Sequence, residues 1–193
     1  MARRQTTHET GDAPPSTAKD PNVAAAALAA DRDADTLVAK TVMINAPRQA
    51  LYDFWRDFRN LPLFMENIES VSITDGGRSH WTVKAPAGKT VEWDSIIVED
   101  IPGKVIEWRS AADADVKNSG RIEFVDSSND RGTWVTATIA YEAPAGALGR
   151  LVATLFGREP KVQARRDLRR FKQLMETGEL ATSRPPFAAP RAE

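Results

Sequence analysis

The chain has 193 residues, a net charge of −1 and no cysteine. Charge this close to balance places no overall electrostatic demand for a nucleic-acid or membrane partner, and the lack of cysteine excludes disulfides, thiolate catalysis and cysteine metal sites. The polar start is not followed by an apolar signal core, and Val23 to Ala30 is a mostly alanine run far short of the ~20 residues needed to span a bilayer, so a cytoplasmic protein is expected.

Residues 1–36 are rich in Ala, Thr, Asp and Pro and contain no aromatic residue. Such a segment buries too little apolar area to offset chain entropy and reads as a disordered tail. Residues 181–193, with their prolines, read as a second one. Between them, 37–180 is expected to form one domain with a real core.

Val38 to Ile44 reads as a strand, stopped by Asn45-Ala46-Pro47. Pro47 suits a helix start, and Leu51, Phe54, Trp55 and Phe58 follow at helical spacing. A second short helix begins near Asn60, with Pro62 in its first turn. Strand patterns then cover 67–75, 79–85, 90–100, 104–110, 118–126 and 132–142, joined by short turn-rich links that favour antiparallel neighbours. Past Gly146 the period becomes helical. Leu148, Leu151, Val152, Leu155 and Phe156 form one apolar stripe, and Ala164, Leu168, Phe171 and Met175 another. Gly157 and Pro160 interrupt them, which predicts a kink or two successive helices, and Gly178 is a helix stop.

Alternation assigns the faces of the strands. Trp81, Val83 and Ala85 oppose His80, Thr82 and Lys84; Val91, Trp93 and Ile97 oppose Glu92 and Asp94, with Ile96-Ile97-Val98 blurring the phase as a bulge does. Ile106 and Trp108 oppose Glu107 and Arg109; Ile122 and Phe124 oppose Arg121 and Glu123; and Val135, Ala137, Ile139 and Tyr141 oppose Trp134. Three tryptophans therefore point to the face that the last helix must cover. Trp134 falls on the other face, and the strand charges pair across neighbouring strands in solvent.

These residues carry a family resemblance. Ile44-Asn45-Ala46-Pro47 precedes Leu51-Tyr52-Asp53-Phe54-Trp55 and Leu61-Pro62-Leu63-Phe64-Met65. Further on come Trp93, Glu99-Asp100-Ile101-Pro102-Gly103, Ile106-Glu107-Trp108, Gly120 with Phe124, Gly132-Thr133 and Tyr141-Glu142-Ala143-Pro144. Taken in this order the chain resembles the SRPBCC superfamily of START-like domains, in particular its polyketide cyclase/dehydrase and coenzyme Q-binding branch. The resemblance implies an α+β helix-grip fold: a curved seven-stranded antiparallel sheet wrapped around a long C-terminal helix, with two short helices after the first strand. It also implies a small hydrophobic ligand, whether lipid, quinone or polyketide-like, held between sheet and helix.

No catalytic constellation is present. His80, the one histidine outside the N-terminal tail, shares its strand phase with Thr82 and Lys84; no Gly-Xaa-Ser-Xaa-Gly elbow, metal cluster or phosphate loop occurs, and no cofactor is expected. The inward set Trp81, Trp93, Trp108, Val135, Ile139, Tyr141, Leu151, Leu155 and Phe156 is either ordinary core or the wall of a ligand pocket, with Tyr141 and the indole N–H groups as polar handles. Arg165, Arg166, Arg169 and Arg170 form a solvated helix face or a footprint for an anionic membrane surface or a partner; nucleic acid is not expected. The leading expectation is binding or transport of a hydrophobic ligand. The alternatives are a cyclase/dehydratase-type enzyme and an interaction module docking through the basic helix.

Overall fold

The computed structural model describes residues 36–74, 77–128, 131–142, 146 and 160–180. Both tails, the stripe from Leu148 to Phe156 and the interruption at Gly157 lie outside the described residues.

The described elements are β1 (Thr36–Ile44), α1 (Arg48–Arg56), a 3-10 turn (Phe58–Asn60), α2 (Leu61–Phe64), β2 (Ile68–Ile73), β3 (Arg78–Ala85), β4 (Lys89–Ile101), β5 (Val105–Ser110), β6 (Lys117–Asp126), β7 (Thr133–Glu142) and α3 (Pro160–Thr177). Pro47 precedes α1 in an extended conformation, and Asp57 accepts from the backbone N–H of Arg59 to open the 3-10 turn. β1 starts two residues ahead of the strand read from the sequence, because its pairing with β7 runs out to Thr36 opposite Tyr141. α3 starts at Pro160, a residue pre-set for a first helical position, and ends where Gly178 takes a positive φ of 74° and donates to the Leu174 carbonyl.

The strands form one antiparallel sheet in the order β1-β7-β6-β5-β4-β3-β2, curled into a half-barrel. Only β1 leaves the meander, crossing to pair with β7. The Ile96-Ile97-Val98 run contains the expected bulge, a register shift between Ile97 and Glu99 against β5. A bulge raises local twist and bends the strand, which suits the longest strand of a curled sheet.

α3 lies against the inner face through Ala164, Leu168 and Phe171, all buried. Its C-terminal half is tied down by polar contacts as well. Lys172 Nζ donates to the Met43 carbonyl (2.8 Å), Glu176 Oε1 accepts from the Asn45 N–H (2.6 Å), and Arg170 Nε donates to the Phe64 carbonyl (3.0 Å). Beneath it Trp55, Phe64 and Phe171 pack with centroids 4.9–5.1 Å apart, inside the range of favourable aromatic pairs.

The outer face carries the charges. Arg121 reaches Glu99 and Glu107 at 2.5 Å and Glu123 at 3.3 Å. Partial burial opposes its charge, and the hydrogen bonds to Glu99 and Glu107 more than offset that, so the guanidinium stays protonated. His80 Nδ1 lies 2.7 Å from Asp94 on the same outer face. Trp134 is only half-buried, whereas its neighbour Val135 on the inner face is fully buried.

Gly120 has a specific packing role. It pairs with Trp108 across β5–β6, and a Cβ placed on it would lie 2.2 Å from Cζ2 of the Trp108 ring. The indole therefore lies flat over the neighbouring strand in space that only glycine leaves. Gly120→Ala is expected to displace Trp108 and destabilise the domain by about 1–3 kcal/mol, measured by urea denaturation. A variant as stable as the parent would show that the ring is free to move.

Candidate functional site

The three inward tryptophans come together. Trp81 on β3 lies between Trp93 on β4 and Trp108 on β5, with nearly parallel rings (interplanar 12° and 17°, centroids 6.2 and 5.9 Å). At these separations the three indoles form an offset parallel stack. Phe58 from the 3-10 turn meets Trp81 and Trp108 edge-on at 5.4 and 5.5 Å. The Trp81 indole N–H donates to Ser79 Oγ (2.9 Å), which donates in turn to the Ser95 carbonyl (3.3 Å).

This indole surface is one wall of a cavity of about 120 Å³. Ile139 and Tyr141 of β7 and Val38 of β1 extend the wall, Met65 and Ile68 close one side, and Gln163, Ala164 and Asp167 of α3 form the cover. The volume is close to that of an apolar cavity holding a single aromatic ring and below the ~300–1,000 Å³ usual for drug-sized ligands. Of the sequence-derived candidates, Trp81, Trp93, Trp108, Ile139 and Tyr141 are in the wall. Val135 is not. It is fully buried opposite Phe124 and Val42, at the far end of β7, about 13–20 Å from Ile139 and Tyr141 at the rise of a strand. Leu151, Leu155 and Phe156 lie outside the described residues.

Polar groups missed by sequence reasoning complete the site. Asn67, Asn118, Gln163 and Asp167 all line the cavity. Among the described residues, Asn118 Nδ2 and Trp93 Nε1 are buried with no hydrogen-bond partner. Asp167 Oδ1 accepts from Gln163 Nε2 (2.8 Å) one turn earlier. Burial pushes the Asp167 carboxyl up to about 7; the Gln163 hydrogen bond opposes this, Glu66 adds to it, and Arg170 and Arg166 work against it. The residue is only half-buried by surface exposure, yet its carboxyl faces apolar wall on the cavity side, which is what disfavours the anion. An acid with such a pKa can both give and take a proton near neutral pH.

The sequence offered a signal for both main omissions. Asn118 has the strand parity of Ile122 and Phe124, and Asp167 is three residues beyond Ala164 and four before Phe171 on the buried helix stripe.

Other candidates lie elsewhere. His80 sits on the outer face with Asp94 and Glu92, remote from the cavity. Among the described residues no group of three His, Cys, Asp or Glu is placed to hold a metal ion, and no helix is long and apolar enough to cross a membrane. Of the four arginines, Arg166 and Arg170 both pair with Glu66, at 3.3 and 3.2 Å. Arg165 and Arg169 are exposed and make no ion pair among the described residues.

A curled seven-stranded sheet closed by a C-terminal helix, the last of three among the described residues, defines a helix-grip domain of the START-like class. The chain belongs to the polyketide cyclase/dehydrase and lipid transport family, whose model matches residues 44–169. A protein of Deinococcus radiodurans with a crystal structure is 39% identical to it, covering 75% of this chain and all of its own, with a TM-score of 0.62. A Thermus thermophilus protein is 24% identical over 72% of this chain and 95% of its own (TM-score 0.57). The Zhui aromatase/cyclase of a Streptomyces species is 17% identical over 76% and 99% (TM-score 0.57). The last two share the fold. No curated protein matches the chain.

The raised Asp167 pKa has a defined consequence for stability. The unfolded chain, with Asp near 3.8, loses this proton around pH 4, whereas the folded protein holds it to about pH 7. Across that window the native state binds more protons, so the contribution of Asp167 to stability falls as pH rises and stays low above it. Asp167→Asn should therefore melt close to the parent at pH 4 and several degrees above it at pH 8. A difference in melting temperature that does not change with pH would contradict the shifted pKa.

Proposed function

We propose that the protein binds a small hydrophobic molecule in the cavity between the sheet and α3. The observation that carries this reading is the wall of three parallel indoles facing a covered space instead of packed side chains. Burying an apolar ligand there contributes ~25 cal/mol for each Å² removed from water, without requiring many polar contacts. A molecule larger than one ring would need the N-terminal half of α3, which supplies Gln163, Ala164 and Asp167, to move outward.

A cyclase- or dehydratase-type reaction is the second reading, favoured by one observation: Asp167, an acid titrating near neutrality, lines the same cavity. There it could remove a proton beside a carbonyl group of a bound polyketide-like molecule and return it elsewhere. For a carrier that meets an anionic membrane, the outward Arg165 and Arg169 and the exposed Val162 are the groups available on α3, because Arg166 and Arg170 are engaged by Glu66.

Native mass spectrometry of the gently purified full chain, before and after organic extraction, tests ligand binding. The expected result is a mass adduct that extraction removes and whose occupancy drops in a Trp93→Ala variant. An adduct that survives unchanged in Trp93→Ala and Trp108→Ala would place it outside this cavity. The membrane contact has its own test. Arg165→Glu with Arg169→Glu should lower sedimentation with phosphatidylglycerol vesicles several-fold, by ~1 kcal/mol per charge, and unchanged sedimentation would remove that role.

A further inference from the structure

We propose that the cavity selects an uncharged, ring-sized apolar molecule bearing a carbonyl oxygen, with Asn118 and Trp93 donating hydrogen bonds to it and Asp167 turning carboxylate anions away. This rests on the hydrophobic-cavity reading above and specifies the chemistry of its occupant.

The first support is the wall's unmet donors. Asn118 is 8% exposed and Trp93 is 7% exposed, both line the cavity, and among the described residues neither Asn118 Nδ2 nor Trp93 Nε1 has a partner. A buried donor left unpaired bears its full desolvation penalty, so a ligand oxygen that accepts from it gains more than an oxygen placed in water would. Trp81 is the contrast: its N–H is already satisfied by Ser79. A carbonyl fits this need better than a hydroxyl, since it offers lone pairs and brings no donor of its own that must be matched.

The second support is charge. None of the fourteen described lining residues is Lys, Arg or His. The groups facing Asp167 are Glu66 from the α2–β2 connection, Arg166 and Arg170 on its own helix, and Gln163 one turn away, with Tyr141 the titratable residue contributed to the cavity by the sheet. Both arginines are occupied by Glu66 outside the cavity. Among the described residues a carboxylate ligand would therefore meet one acid and no cation, and repulsion between two carboxylates in an apolar site is severe. An ammonium ligand could pair with Asp167 but has no lone pair to offer Asn118 Nδ2 and Trp93 Nε1, which would stay unmet. The neutral carbonyl compound is what remains.

Three single-ring probes of nearly equal shape separate these requirements: ethylbenzene, acetophenone and benzoate, titrated calorimetrically into the full chain at pH 8. Acetophenone should bind roughly 5- to 10-fold tighter than ethylbenzene, the worth of one or two hydrogen bonds to otherwise unpaired donors, and benzoate at least ~10-fold weaker than acetophenone. Asn118→Leu should erase most of the acetophenone preference. Asp167→Asn should admit benzoate. Lowering the pH from 8 to 6 should strengthen benzoate binding to the parent and not to Asp167→Asn, because benzoate itself, like other carboxylates of pKa ~4, remains ionised throughout. Equal binding of ethylbenzene and acetophenone, or benzoate binding as tight as acetophenone and indifferent to Asp167→Asn, overturns the selection while leaving the apolar cavity standing. Failure of all three probes to bind overturns the cavity reading and the selection with it.

Discussion

The structure turns on three nearly parallel indoles on the inner face of the sheet. Elsewhere in the core a tryptophan fills the available space, as Trp55 of α1 does against Phe64 and Phe171. Trp108 instead lies over β6 where Gly120 leaves room; the Trp81 ring is parallel to it within 17° and the Trp93 ring is parallel to Trp81 within 12°. Phe58 abuts two of these rings edge-on and so limits their freedom to tilt. The cavity lies between these rings and α3. Its position along the helix follows from the contacts that hold α3: Leu168 and Phe171 and the hydrogen bonds of Arg170, Lys172 and Glu176 seat the C-terminal half, while Gln163, Ala164 and Asp167 cover open space.

The two faces of the sheet treat charge in opposite ways for the same geometric reason. Period-two alternation sends Glu107, Arg121 and Glu123 outward and the β4 bulge between Ile97 and Glu99 turns Glu99 the same way, so one guanidinium satisfies three carboxylates in partial solvent. Such pairs cost little to hold because water shares the work. Asp167 comes from a helix, where the period is 3.6 and no alternation exports it. Its neighbours Arg166 and Arg170 are turned towards Glu66, so it faces the apolar side with Gln163 as its one hydrogen-bond donor among the described residues. An acid so placed lowers stability at neutral pH, and a chain under selection for stability alone would place an apolar residue there.

Much of this was legible in the sequence, and the limits have physical causes. Alternation put Trp81, Trp93 and Trp108 on one face and Trp134 on the other, since a strand that buries one face leaves register no freedom. The same argument placed Val135 beside Ile139 and Tyr141, which is right for the face and wrong for the site: alternation fixes direction across a sheet and says nothing about distance along it. Asp167 was obscured by its surroundings, a stretch of arginines that reads as a solvated face. The helical period counted from Ala164 and Phe171 nevertheless places it on the buried stripe. Asn118 shared the inward parity of Ile122 and Phe124 but is polar, and polarity in a strand suggests solvent until the sheet's curl is known. The volume of the cavity is not readable from the sequence, because a void depends on how each indole packs, and for Trp108 that depends on Gly120 of the next strand.

These points bear on how binding and catalysis are related in this family, whose model joins polyketide cyclases with lipid transport. In this cavity the two roles need the same parts. On the proposed reading, donors at Asn118 and Trp93, unpartnered among the described residues, would polarise the carbonyl oxygen they hold and so acidify the adjoining carbon, and an acid near pKa 7 on the opposite cover is suited to exchange a proton there. What separates a carrier from an enzyme is then geometry within the cavity: whether the bound molecule presents its acidic C–H to Asp167 or only its apolar edge. On the proposed reading, a wall of parallel indoles favours one orientation of a planar ring over others, so the shape of the ligand would weigh on which of the two roles the cavity supports.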